Sequence, residues 1–96
     1  MNILIPINEE KKLCPLKSNS SWAVVTLDEG KTKNINFYTK KEVIEAFTDY
    51  IVVVNKDEPI NDFLLEGIGV LIAPMQKEIE EIIEAYMFRE LHEFHS

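Results

Sequence analysis

Three short apolar runs constrain this chain more than anything else in it: "NILIPI" near the start, "YIVVVN" at 50–55 and "IGVLIA" at 68–73. Each is too short for an ordinary helix, rich in β-branched residues and bounded by polar or turn-forming ones. That pattern describes strands buried on both faces. Ile3, Leu4, Ile5 and Ile7 form the first run, which ends at Asn8. Helix-length polar segments precede the second and third runs. Doubly buried strands joined by helical crossovers run parallel and connect with a right-handed sense, so the chain reads as an α/β domain.

Between the first and second runs lies a different signal. "WAVVTL" (22–27), the turn "DEGK" and "NINFYT" (34–39) read as a β-hairpin. Gly30 supplies the backbone freedom of a tight turn, and Ile35 and Phe37 alternate with Asn34 and Asn36. Thr39 and Glu42 have the spacing of a capping box, and Val43, Ile44 and Phe47 recur at helical spacing. A short helix is therefore expected over about 40–48. Pro59 and Gly67 bracket a second helix with Ile60, Phe63 and Leu64 on one face. Pro74 opens a third, with Ile79, Ile82, Ile83, Tyr86 and Met87 along its stripe. Glu78, Glu80, Glu81 and Glu84 cover the rest of that helix as a solvated face. The expected order is β-β-β-α-β-α-β-α in one domain over 1–96, with a five-stranded mixed sheet ordered 3-2-1-4-5.

Charge and cysteine usage limit the function classes. Seventeen acidic residues against ten basic ones leave a net charge of −7, which repels a phosphate backbone, so no nucleic-acid partner is expected. The one cysteine cannot form an internal disulfide. No basic leader opens the chain, and no apolar run approaches the roughly 20 residues of a membrane span. The expectation is a cytoplasmic protein with no membrane partner, either a monomer or a weak homodimer.

The element order and three local stretches resemble the dinitrogenase iron-molybdenum cofactor biosynthesis family, whose domain has a ribonuclease H-like fold. "MNILIPINEE" is similar to the family's opening strand and turn, "WAVVTLDEGKTKNINFY" to its aromatic-led hairpin, and "GIGVLIAP" to its late strand. The family carries a His-Phe-Gly-Arg-Ala run a few residues before that aromatic. With Trp22 as the aromatic, this chain offers "PLKSNSSW": Pro15 stands for the histidine, Leu16 for the Phe, and Lys17 and Ser18 for Gly-Arg. The resemblance implies a non-catalytic carrier or accessory protein in metal-cluster assembly, binding an iron-sulfur or iron-molybdenum-type cluster. Cys14, one residue away, is the candidate soft ligand. The competing reading is a degenerate relative that has lost its ligand and works as a protein-contact or regulatory module.

Open α/β sheets bind ligands beyond the carboxyl ends of strands where connections diverge. That rule places the candidate site beside Asn8, with Cys14, Lys17 and Ser18 from the opening loop. Asn55 and Lys56 enter from the fourth strand, and Pro74 and Met75 from the fifth. Lys11, Lys12 and Lys17 make the loop basic and favour an anionic ligand. The loop over 8–21 is long for a connection and is expected to be the most mobile internal segment. His92 and His95 have a helical metal-pair spacing, but as terminal residues they read first as tail. A two-metal nuclease needs clustered carboxylates, and "NILIPI" carries none. No Ser-His-Asp set, phosphate loop or C-x-x-C appears, so no enzymatic activity is expected.

Overall fold

The structure, a computed structural model, describes residues 1–94. Its centre is the first apolar run, β1 (Asn2–Ile7), which is flanked on both sides. On one side β2 (Ser21–Asp28) pairs with it antiparallel, followed by β3 (Lys31–Tyr38). On the other side β4 (Tyr50–Val53) and then β5 (Gly69–Ile72) run parallel to it. The order 3-2-1-4-5 and the parallel set are as the crossover argument requires. The sheet has a sixth strand, however: β6 (His92–Glu93) closes the edge antiparallel to β5, giving 3-2-1-4-5-6. The five-strand expectation is corrected by this short return, which has no apolar alternation to announce it.

Period-two alternation divides the strand side chains between two cores. Ile3, Ile5, Val25, Val52 and Leu71 face α2 (Ile79–Met87), which contributes Ile79, Ile82 and Ile83. Leu4, Val24, Ile51, Val53 and Val70 face the other way, onto Ile60 and onto Phe63 of α1 (Asn61–Leu65). Burial on both faces is why the central strands read as unbroken apolar runs.

The hairpin turns on Glu29 and Gly30, both with positive φ (53° and 78°), which is the two-residue geometry that matches strand twist. At the end of α1, Gly67 takes the left-handed position (φ 79°). Its amide donates to the Leu64 carbonyl and the Ile68 amide to the Phe63 carbonyl, closing the helix.

Two helix expectations are corrected. Over 40–48 only a 3₁₀ turn forms (Lys41–Val43), without the Thr39–Glu42 box, and Val43 and Phe47 are exposed. A helix this short does not repay its nucleation without a buried face. Asn2 also captures the segment's far end: its backbone amide donates to Asp49 Oδ2 (2.8 Å), its Nδ2 donates to the Phe47 carbonyl (2.8 Å) and its carbonyl accepts from the Asp49 amide (2.9 Å). The last helix starts at Ile79, not Pro74. The intervening chain instead pairs with the opening loop, through the Leu13 amide on the Lys77 carbonyl and a bridge between Lys12 and Glu78. Glu81 then reaches back to accept from the Glu78 amide (3.0 Å), and that bond and a second from the Lys77 amide hold its carboxyl below the usual range.

His92 lies exposed on β6 opposite Ile72, not on a helix, and His95 lies outside the described residues. Among the described residues no helix is long and apolar enough to cross a membrane.

Candidate functional site

The expected crevice lies where β1 and β4 end and the opening loop crosses between them. Asn8 shapes its first turn: Oδ1 accepts from the Glu10 amide (2.9 Å) and the Lys12 amide (3.1 Å). The chain then folds back on β1. Leu13 bridges to Ile7, and the Cys14 amide donates to the Pro6 carbonyl (3.2 Å). Leu13 is 3% exposed and Cys14 7% exposed. The loop expected to be mobile is therefore pinned at its middle by backbone bonds and by two side chains in the core.

Residue 58, which the sequence reading passed over, organises this end of the sheet. Glu58 Oε1 accepts from the Leu16 amide at 2.6 Å. Its Oε2 accepts from the Val54 amide at 2.6 Å and the Asn55 amide at 3.1 Å. One carboxylate thus gathers three backbone N–H groups from the opening loop and from the chain leaving β4. Charge-assisted bonds of this kind are roughly twice as strong as neutral ones. Asn55 Oδ1 meanwhile accepts from the Asp57 amide (2.9 Å). The signal for this arrangement was present: Asn55 followed three residues later by Glu58 has capping-box spacing, here serving a turn in place of a helix start.

The structure brings some of the expected site residues together and leaves others apart. Asn8 and Cys14 are structural members of the loop base, and Asn55 belongs to the Glu58 cluster. Lys17, Ser18, Lys56 and Met75 are exposed. Ser18 turns back on its own loop, its amide donating to the Pro15 carbonyl (3.0 Å). The three loop lysines do not converge. Lys12 pairs with Glu10 (3.6 Å) and Glu78 (3.5 Å), and the Lys11 ammonium sits 4.4 Å from the centre of the Phe37 ring.

Cys14 was the candidate ligand. Its Sγ lies 4.0 Å from the Pro6 carbonyl oxygen. Burial pushes the thiol above its ordinary value, the Ser18 side chain pulls it partway back, and the nearby Glu58 carboxylate adds to the rise. A metal ligand must be a thiolate, and clusters are held by several. One buried, neutral thiol beside a carboxylate does not fit an iron-sulfur or iron-molybdenum cluster. Among the described residues no three His, Cys, Asp or Glu side chains converge as a metal-holding group.

No family model matches the sequence, and no curated protein does. Solved structures do match in fold. A "putative dinitrogenase" from Methanocaldococcus jannaschii superposes with a TM-score of 0.80 at 14% identity, covering 98% of this chain and 94% of the other. The solution structure of a protein under the same name, from Methanococcus jannaschii, also gives 0.80, at 16% identity and 100% and 94% coverage. The protein PH0822 gives 0.75 at 14% identity, covering 100% and 98%. At these identities the likeness is one of fold. It agrees at that level with the family the opening, hairpin and late-strand stretches resemble.

Proposed function

We propose that the protein is a non-catalytic accessory module with the dinitrogenase-type fold, which acts by contacting a protein partner in metal-cluster assembly and does not carry a cluster on its opening loop. The carrying observation is Glu58. Its carboxylate sits on three backbone N–H groups at the place where an anionic ligand of an open α/β sheet would find them. An anion entering there meets a fixed negative charge, and the neighbouring thiol is held in its neutral form. The pairing of Lys12 with two glutamates supports the same reading, because it removes charge from the loop that would have attracted an anion.

The test is reconstitution with iron and sulfide under reducing conditions, on the wild type and on Cys14→Ser. Both are expected to stay colourless after desalting. Visible absorption in the wild type that disappears in Cys14→Ser would restore the cluster-carrier reading and overturn this one.

A further inference from the structure

A second concavity lies away from the Glu58 cluster, against the sheet face that packs on α2. It is an open groove of about 830 Å³, a volume typical of small-molecule sites. Its apolar wall includes Leu71, Leu91 and two half-buried tyrosines, Tyr50 and Tyr86. The two rings are tilted at 55° with centroids 6.0 Å apart, and the Tyr86 hydroxyl is 3.2 Å from Met1 Sδ. The Tyr50 ring is placed by the absence of a side chain next to it. A Cβ on Gly69, its ladder partner on β5, would lie 2.6 Å from two ring carbons. One edge of the ring therefore occupies the space that a side chain at position 69 would fill.

The rim has a definite charge. Asp28 and Glu29 come from the hairpin turn and Glu93 from β6, three carboxylates against the guanidinium of Arg89 and the Met1 ammonium, which is itself engaged in donating to the Leu27 carbonyl (3.0 Å). The chain as a whole carries −7. Burial raises the Tyr86 phenol above its ordinary value, and Tyr50, Asp49 and Glu93 raise it further while Arg89 opposes them. Aromatic faces under a negative rim attract a cation through the ring quadrupole and through plain Coulomb attraction. The apolar wall rewards an aliphatic stem. A hydrated metal ion would use the rim alone, whereas an alkylammonium uses both.

We propose that this groove binds a small organic cation of the diamine or polyamine class, its methylene chain on the Tyr50 and Tyr86 rings and its ammonium groups on the carboxylates of Asp28, Glu29 and Glu93. This site is separate from the Glu58 cluster and stands whether or not the accessory reading above holds.

The experiment is a backbone-amide NMR titration of the whole chain with spermidine, run in parallel with magnesium chloride, with hexanoate and with a short lysine-rich peptide. Spermidine is expected to give saturable shifts at Tyr50, Leu71, Tyr86 and Leu91 that magnesium and hexanoate do not reproduce. Tyr86→Leu and, separately, Glu93→Gln should each weaken binding by about tenfold, while Glu58→Gln leaves it unchanged. If Tyr86→Leu does not fold, the exposed Glu93→Gln and the conservative Tyr50→Leu decide the matter. Shifts that fail to saturate in the millimolar range overturn the proposal. Equal shifts with magnesium reduce it to counterion binding and overturn it, as does preference for hexanoate. Tighter binding of the peptide at the same residues makes the groove a protein-contact surface and overturns the small-cation assignment.

Discussion

The Glu58 carboxylate lies 2.6 Å from the backbone amide of Leu16, 42 residues away in sequence, and ties the opening loop to the chain leaving β4. The other oxygen of the same group holds the Val54 and Asn55 amides. Glu58→Ala leaves all three donors without their acceptor. Bonds to charged groups contribute more than neutral ones, and water replaces part of the loss at this half-exposed end of the sheet. The expected cost is about 1–2 kcal/mol, seen as a fall of at least ~4 °C in Tm. Glu58→Gln should cost less, because one amide oxygen remains to accept. A change below about 0.5 kcal/mol in the alanine variant, measured by urea denaturation, would show that the cluster does not anchor the loop.

Cys14 gives a prediction in pH. Its thiol is held above its ordinary value chiefly by burial, so the folded state favours the protonated form. The stability this contributes is fully present below the unfolded-chain thiol value. It is lost as pH rises through that value and on through the higher folded one. Labelling by a thiol reagent should accordingly be slow at neutral pH in the native protein and should accelerate only in the alkaline range or on unfolding. Glu58→Gln removes one of the causes of the rise, so its labelling profile should move to lower pH than that of the wild type. Labelling of native Cys14 at neutral pH as fast as in the denatured chain would contradict the buried placement.

Gly69 and Tyr50 form a coupled pair across the β4–β5 ladder. Gly69→Ala puts a methyl group 2.6 Å from the Tyr50 ring, so the ring must swing out or the strands must part. The expected destabilisation is about 1–3 kcal/mol. In a Tyr50→Leu background the same glycine change should cost clearly less, and the double-mutant cycle measures the difference. Additive costs would mean that the close approach is not what requires glycine.

Legibility varied with how much of each signal was local. The doubly buried strands are legible because Ile3, Leu4 and Ile5 need no information beyond their own run. The hairpin is legible because Glu29 and Gly30 carry its turn within two residues. The segment over 40–48 misleads for the opposite reason. Its helical spacing is real, but Asn2, far away in sequence, fixes Phe47 and Asp49 in place through three hydrogen bonds. No window around residue 45 contains that fact. If the segment were a packed helix, Phe47→Ser would cost about 3 kcal/mol, whereas the 73%-exposed Phe47 should tolerate it within about 0.5 kcal/mol. The site divides the same way. Asn8 and Cys14 belong to the opening loop and Asn55 to the chain leaving β4, and the two segments are tied together through Glu58. The group that binds that end together, Glu58, looks like any surface acid until Leu16 is placed against it.

The end of α2 supplies the last prediction. Arg89 occupies the left-handed position just past the helix, with φ 57°. Its amide donates to the Tyr86 carbonyl (3.1 Å), and the Glu90 amide donates to the Ala85 carbonyl (2.8 Å). That is the closure Gly67 makes at the end of α1, built here around a residue with a Cβ. The left-handed conformation costs an ordinary L-residue about 1–2 kcal/mol, and glycine gives part of that back as greater freedom in the unfolded chain. Arg89→Gly should therefore stabilise the protein by about 0.5–1 kcal/mol, raising Tm by several degrees. Arg89→Val, β-branched at the same φ, should destabilise it. Because Arg89 is the one guanidinium on the groove rim, the glycine variant should also bind an alkylammonium more tightly, not less. An Arg89→Gly protein that melts below the wild type would show that the guanidinium holds the helix end by contacts worth more than the strain it carries.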